Sequence, residues 1–460
     1  GEEMIVFDPV DYLFTESAKS AYTYSIVQPY IMDYFSIASY MASLPYTIFL
    51  ALFVVGNYVG GVMQKKHSVK MIMLIGYLLM AAGLFSTSLL PSSAPAGMWF
   101  TYGTLLGIGD GMVYNVIIAM MQKWFPDKKG LATGITLAVL GISATILSPL
   151  SSTWLTNYGF TGTFRILAVI FAVVAVFGML TIKAPPAGYM ADYKPSGVVA
   201  VSKNTCTTAR DCFRCREYYL LSLVYFCAIP AFVLLSAIFV SYGTSRGLDK
   251  TLLVTGVSVA SLMQVAGRFL ISTGSDKIGR KGAMLLCFAI TILAIVLLTF
   301  SKGIVYVVCF WLLSFTYGGT AATMPSLTTD YLGSENAGLV CSLVMIGFGV
   351  ASVGTSFLAK AVNTSMAFIL AGVIAIVGIL VTLALPKLGK ACTRHWCRKL
   401  RRRWVTKMWS SNNSQRSQKP GFRNIPEAGL GLSVQLPTKK PALRKRRAGV
   451  DLVSALPGRS

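Results

Sequence analysis

LLVTGVSVASLMQVAGRFLISTGSDKIGRK, residues 252–281, decides the fold. From Leu252 to Ser275 it carries a single charged side chain, Arg268, and then turns abruptly ionic at Asp276, Lys277, Arg280 and Lys281. An α-helix rises about 1.5 Å per residue, so roughly 20 apolar residues cross a hydrocarbon layer of about 30 Å. The stretch therefore predicts a membrane span followed by a loop at the polar boundary. Arg268 lies eight residues before Asp276, or about 12 Å inside that boundary by helix rise. A guanidinium is always charged, and hydrocarbon heavily disfavours charge, so this arginine requires a reason.

The rest of the chain repeats the pattern. Of 460 residues, 54% are hydrophobic and only 13% charged, against about 25% charged in soluble domains. Apolar runs fall at 38–62, 69–90, 97–122, 131–156, 160–182, 218–242, 250–272, 283–301, 303–326, 336–360 and 365–385. SAYTYSIVQPYIMDYF (20–35) reads as part of a further span behind the acidic Glu2, Glu3, Asp8, Asp11 and Glu16. No basic segment precedes an apolar core there, so it is not a signal peptide. We expect a truncated or altered first helix, and twelve spans in all.

Charge in the connecting loops sets orientation. Lys65, Lys66 and Lys70, then Lys123, Lys128 and Lys129, then Lys183 to Arg216, then Lys277, Arg280 and Lys281 occupy alternate loops, whereas PSSAPAG (91–97) has no basic residue. The positive-inside rule then puts both termini in the cytoplasm. The acidic TTDYLGSENAG after the tenth span is the exception. Segment 184–217 divides the spans into an N-terminal half, 1–183, and a C-terminal half, 218–386. Residues 387–460 form a basic tail with nineteen Lys and Arg against Glu427 and Asp451. Its CTRHWCRKLRRRWVTKMW fits contact with anionic lipid head groups or an ordinary positive-inside anchor before a disordered tail. No nucleic-acid-binding module surrounds KKPALRKRR. Cys206, Cys212 and Cys215 form CTTARDCFRC, but a lone C-x-x-C is weak evidence for a metal. No metal, cofactor or disulfide is expected.

Two similar six-span halves joined by a linker suit a carrier that binds near the midplane and rocks. SDKIGRK (275–281) resembles the loop motif of the major facilitator superfamily, an Asp followed by basic residues around a Gly. Ser272 stands where the motif has an earlier Gly, and in the first-half copy, QKKHSVK, Lys65 replaces the Asp and Ser68 the Gly. KWFPDKKGLATGI (123–135), SLPYTIFLALF (43–53), SAYTYSI (20–26) and YGGTAATMPSLTTDYLG (317–333) resemble the oxalate:formate antiporter and monocarboxylate carrier family. The resemblance implies an all-α major facilitator fold of two six-helix bundles. It implies that Asp276 caps or pairs with a neighbouring helix end, and that Arg280 and Lys281 hold the cytoplasmic gate.

For Arg268 the resemblance implies a grip on a substrate carboxylate. The fork of a guanidinium matches a carboxylate with two parallel hydrogen bonds. A side-chain carboxylate would serve when the site is empty, and the alternative is an arginine reaching back to the head groups or to Asp276. Related oxalate carriers have a second cation in the eleventh span. Phe348 aligns there, and Lys360 lies a dozen residues further on, which favours a monoanion with an apolar portion. Tyr22, Tyr24 and Tyr317 align with site aromatics, although membrane aromatics are commonly packing or interface residues. Asp110, also mid-span, is read as a partner of Arg268, as a proton carrier, or as hydrogen-bonded within the bundle to Ser, Thr or Asn115. No nucleophile–base set or nucleotide motif points to an enzyme. The function expected is secondary transport of a small organic monocarboxylate by a monomer in the cell membrane, by exchange or with a proton. The alternatives are a transporter-like sensor and a multidrug exporter.

Overall fold

A computed structural model describes residues 21–181, 185–186, 206–300 and 303–386. The basic tail lies outside the described residues. The described residues form helices: α1 (Ala21–Phe35), α2 (Ser39–Met63), α3 (Val69–Ser88), α4 (Gly107–Trp124), α5 (Lys129–Thr181), α6 (Ala209–Cys212), α7 (Arg216–Ala228), α8 (Pro230–Ser245), α9 (Lys250–Ile278), α10 (Arg280–Phe300), α11 (Ile304–Leu332), α12 (Ala337–Ala361) and α13 (Thr364–Ala384). A π-helical stretch, Trp99–Leu106, leads directly into α4. Among the described residues, nine helices are long and apolar enough to cross a membrane.

Helix boundaries follow local chemistry. The Ser68 hydroxyl accepts from the Met71 amide and starts α3, and the Asp249 carboxylate does the same for Leu252 at α9, satisfying amides that have no partner within the helix. α5 spans both apolar runs expected at 131–156 and 160–182. Its chain bends between them at Gly159, with φ 64° and ψ −171°, a conformation available to glycine without a Cβ clash. α7 and α8 meet at Ile229 before Pro230, and together supply the seventh span.

Within each half, glycine draws helix pairs together. A Cβ at Gly111 on α4 would collide with the backbone of α2 at Phe53, and one at Gly56 with Ile108. Correspondingly, a Cβ at Gly267 on α9 would collide with the Phe315 carbonyl of α11, and one at Gly318 with Gln264. Lipid tails are as apolar as leucine, so close backbone approach and dispersion hold such pairs where the hydrophobic effect is absent. Outward faces are correspondingly apolar: Leu78, Phe100, Val169 and Leu380 are each at least 60% exposed. Between halves, α5 packs on α9 and α11, while α12 packs on α2 and α4.

Candidate functional site

Arg268 projects from α9 at the seam with α5. Its Nη1 donates to the Leu137 carbonyl at 2.9 Å, so the guanidinium bridges the two halves through a backbone acceptor. Its Nε–H is buried without an acceptor. A guanidinium has five donors, and a charged donor left unsatisfied in an apolar interior costs about 1–3 kcal/mol or more. The site is therefore short of negative charge. Arg268 is within electrostatic reach of both Tyr225 on α7 and Tyr317 on α11.

These tyrosines are backed by aromatics. Tyr225 meets Phe348 with ring centroids 5.4 Å apart, and Tyr317 stacks on Phe232 at 4.6 Å. Tyr225 also lines a cleft between the halves with Asn57, Tyr114 and Cys341. Arg268, Tyr317 and Phe348 thus gather around Tyr225, a residue that sequence reasoning missed because it looks like any other aromatic in an apolar run.

The first-half residues form a separate group. Tyr24 donates to the Ala42 carbonyl at 2.5 Å and stacks on Tyr46 at 5.0 Å, with Tyr102 at 5.4 Å. Asp110 is 1% exposed and acts electrostatically on Tyr102. Asn115, one expected partner of Asp110, is engaged elsewhere: it donates to Asn57 at 2.6 Å and to the Gly338 carbonyl at 2.8 Å, and accepts from Gln64 at 2.6 Å. Tyr22 belongs to α1, and its side chain lies outside the described residues.

At the basic-loop end, charges close the seam. Asp276 accepts from the Gly130 and Leu131 amides at 3.2 and 2.9 Å, at the N-terminus of α5, where the helix dipole favours an anion. Arg280 pairs with Asp276 at 2.6 Å and with Asp330 at 3.2 Å, and Lys129 pairs with Asp330 at 3.1 Å. Lys129, Arg280 and Asp330 are each at most 4% exposed. Ser272 donates to the Gly130 carbonyl at 2.7 Å, across the same seam. Lys281 donates instead to the Leu383 and Leu385 carbonyls at 2.8 and 2.7 Å, tying α10 to the end of α13 within one half. Asp330 and Lys129 were missed as site residues. The signal was available, because Asp330 belongs to the acidic stretch TTDYLGSENAG, expected as a loop, although the structure places Asp330 in the last turn of α11.

The first-half counterpart is neutral. Gln64, Asn115 and Asn57 crowd Gly338 at the N-terminus of α12, and Lys65 reaches the Thr207 carbonyl of the central linker.

Comparison with known proteins gives a consistent family. The sequence pattern of the Major Facilitator Superfamily matches residues 13–354 and 221–406. The chain is similar to an oxalate:formate antiporter of Oxalobacter formigenes, 27% identical over 346 residues, covering 72% of this chain and 79% of that protein. It is 25% identical over 302 residues to an uncharacterized MFS-type transporter, YhjX, of Escherichia coli (strain K12), covering 65% and 73% respectively. Monocarboxylate transporter 12 of Homo sapiens is 24% identical over 307 residues, covering 60% of this chain and 58% of that one. Among solved structures, the transporter FucP in its outward conformation superposes with a TM-score of 0.63 at 14% identity, over 84% of this chain and 99% of its own.

Proposed function

The chain belongs to the Major Facilitator Superfamily, a family of membrane transporters rather than enzymes, and from that premise we propose that it carries a small organic monocarboxylate. The observation that carries this reading is the buried Arg268 Nε–H without an acceptor, beside two tyrosines and an aromatic wall. A carboxylate entering between the halves accepts two parallel hydrogen bonds from the guanidinium. Tyr225 or Tyr317 supplies a further donor, and Phe348 and Phe232 accept the apolar remainder of the anion. One cation and an aromatic at position 348 suit a single negative charge.

Transport proceeds by alternating access between residues 1–183 and 218–386, hinged through 184–217. The ionic cluster of Asp276, Arg280, Asp330 and Lys129 acts as the gate at the basic-loop end, with Lys281 steadying α10 against α13. Asp110, deep in α4, is the group to carry a proton or to balance Arg268 when no anion is bound. We place the protein in the cell membrane as a multi-pass monomer with cytoplasmic termini and with anionic lipid at its basic tail. Two relatives whose names include oxalate, formate or monocarboxylate support the substrate class.

The test is uptake of labelled lactate, formate and oxalate into proteoliposomes. Saturable uptake of a monoanion is expected, and Arg268→Ala raises its half-saturation concentration roughly 30- to 150-fold, for the loss of about 2–3 kcal/mol of charge-assisted bonding. Uptake indifferent to Arg268→Ala overturns the carboxylate anchor and points to an exporter of apolar compounds. Absence of any flux, with anion binding retained, points to a sensor.

A further inference from the structure

Segment 206–215 of the central linker folds as a strap over the gate. The Thr208 hydroxyl accepts from the Asp211 amide and the Asp211 carboxylate from the Thr208 amide, which closes the short turn of α6. The strap is anchored to both halves. The Cys206 amide donates to the Leu332 carbonyl at 3.1 Å, two residues beyond the gate acid Asp330, and the Thr207 carbonyl accepts from Lys65 at the end of α2.

Folding this turn gathers three thiols. Cys206 and Cys215 bring their Sγ atoms to 3.8 Å, and Cys212 lies within electrostatic reach of Cys206. Cys206 is 3% exposed and Cys212 fully buried, whereas Cys215 is partly open to solvent. All three are free.

We infer that Cys206 and Cys215 form a reversible disulfide that fastens the strap across the closed gate, in response to a peroxide. Closing the pair means shortening the separation from 3.8 Å to about 2.0 Å. Peroxide reaches Cys215 first, because it is the accessible thiol: its sulfur takes one oxygen from hydrogen peroxide to give a sulfenic acid, and one water leaves. The Cys206 sulfur then attacks the sulfenic sulfur, the S–S bond forms, and hydroxide departs. That hydroxide takes up the Cys206 proton, giving the second water. In sum, two thiols and one hydrogen peroxide give one disulfide and two waters. The covalent ring then spans residues 206–215, and the anchors on Leu332 and Lys65 stay in register.

Trypsin makes the test direct, since Lys203, Arg210, Arg214 and Arg216 place each cysteine on its own peptide: 204–210, 211–214 and 215–216. The full-length protein in proteoliposomes is treated with hydrogen peroxide, blocked with an alkylating agent and mapped without reduction. The expected product is 204–210 joined to 215–216, cleaved by dithiothreitol, absent in Cys215→Ser and retained in Cys212→Ser. A cross-link through Cys212 instead, or alkylation of all three thiols after peroxide, overturns the pairing. Thiols that resist peroxide until a zinc chelator is added identify a metal site and overturn it too. The mapping requires no transport. A second readout rests on the transport reading: peroxide lowers anion flux severalfold, and dithiothreitol or Cys215→Ser restores it. Mapped disulfide with unchanged flux leaves the pair standing and overturns the fastening of the gate.

Discussion

The two halves seal the same end of the molecule with different chemistry. In the second, a carboxylate caps α5 and three buried charges interlock around Asp330. In the first, amide side chains meet the N-terminus of α12, and the cation at position 65 is turned outward to hold the linker. A buried ion cluster is costly to disrupt one member at a time, because each removal leaves an uncompensated charge. A neutral amide network loses only about 1 kcal/mol per hydrogen bond. The second-half seal is thus the stiff one and the first-half seal the soft one.

That contrast can be broken experimentally. The readout is the rate at which Cys341, which lines the central cleft, reacts with a membrane-impermeant maleimide from the basic-loop end, in a variant retaining it as sole cysteine. Asp330→Asn strands the buried Lys129 and leaves Arg280 with Asp276 alone; it is expected to weaken closure by about 3–5 kcal/mol, raising labelling most. The contrast is sharpened by replacing Lys129 and Arg280 with Met together with Asp330→Leu. If stranded charge is the cost, this variant recovers most of the closure, and continued fast labelling would refute that account. Asp276→Asn weakens the α5 cap and the Arg280 pair, with about 1–2 kcal/mol expected. Gln64→Ala removes one amide contact to Asn115 and is expected to cost about 1 kcal/mol. A Gln64→Ala effect as large as that of Asp330→Asn would erase the distinction between the seals.

Much of this architecture can be read in the sequence. Each apolar run becomes a helix because a backbone in lipid must satisfy its hydrogen bonds internally, and the turn at 157–159 shows in the polar NYG between two runs. The position of Arg268 was equally legible, since a charge in an apolar run announces itself. Its partner was not. Leu137 contributes a backbone carbonyl, which every residue owns, so no residue type marks it. Nor was the thiol arrangement visible. The spacing draws attention to Cys212 and Cys215, yet the close sulfur approach joins Cys206 to Cys215, because the Thr208–Asp211 turn folds the chain back. The neutral seal was hidden for a third reason: Lys65 reads as a damaged motif until the linker it holds is seen.

The bond from Arg268 to Leu137 also has a consequence for rates. It is a polar tie between α9 and α5, and under the proposed function an arriving carboxylate would compete with Leu137 for the same guanidinium. If loading the site releases that tie, the occupied carrier reorients faster than the empty one. Labelled anion should then leave vesicles faster when unlabelled anion waits outside than when buffer does. One hydrogen bond in the seam would set the preference for swapping cargo over releasing it.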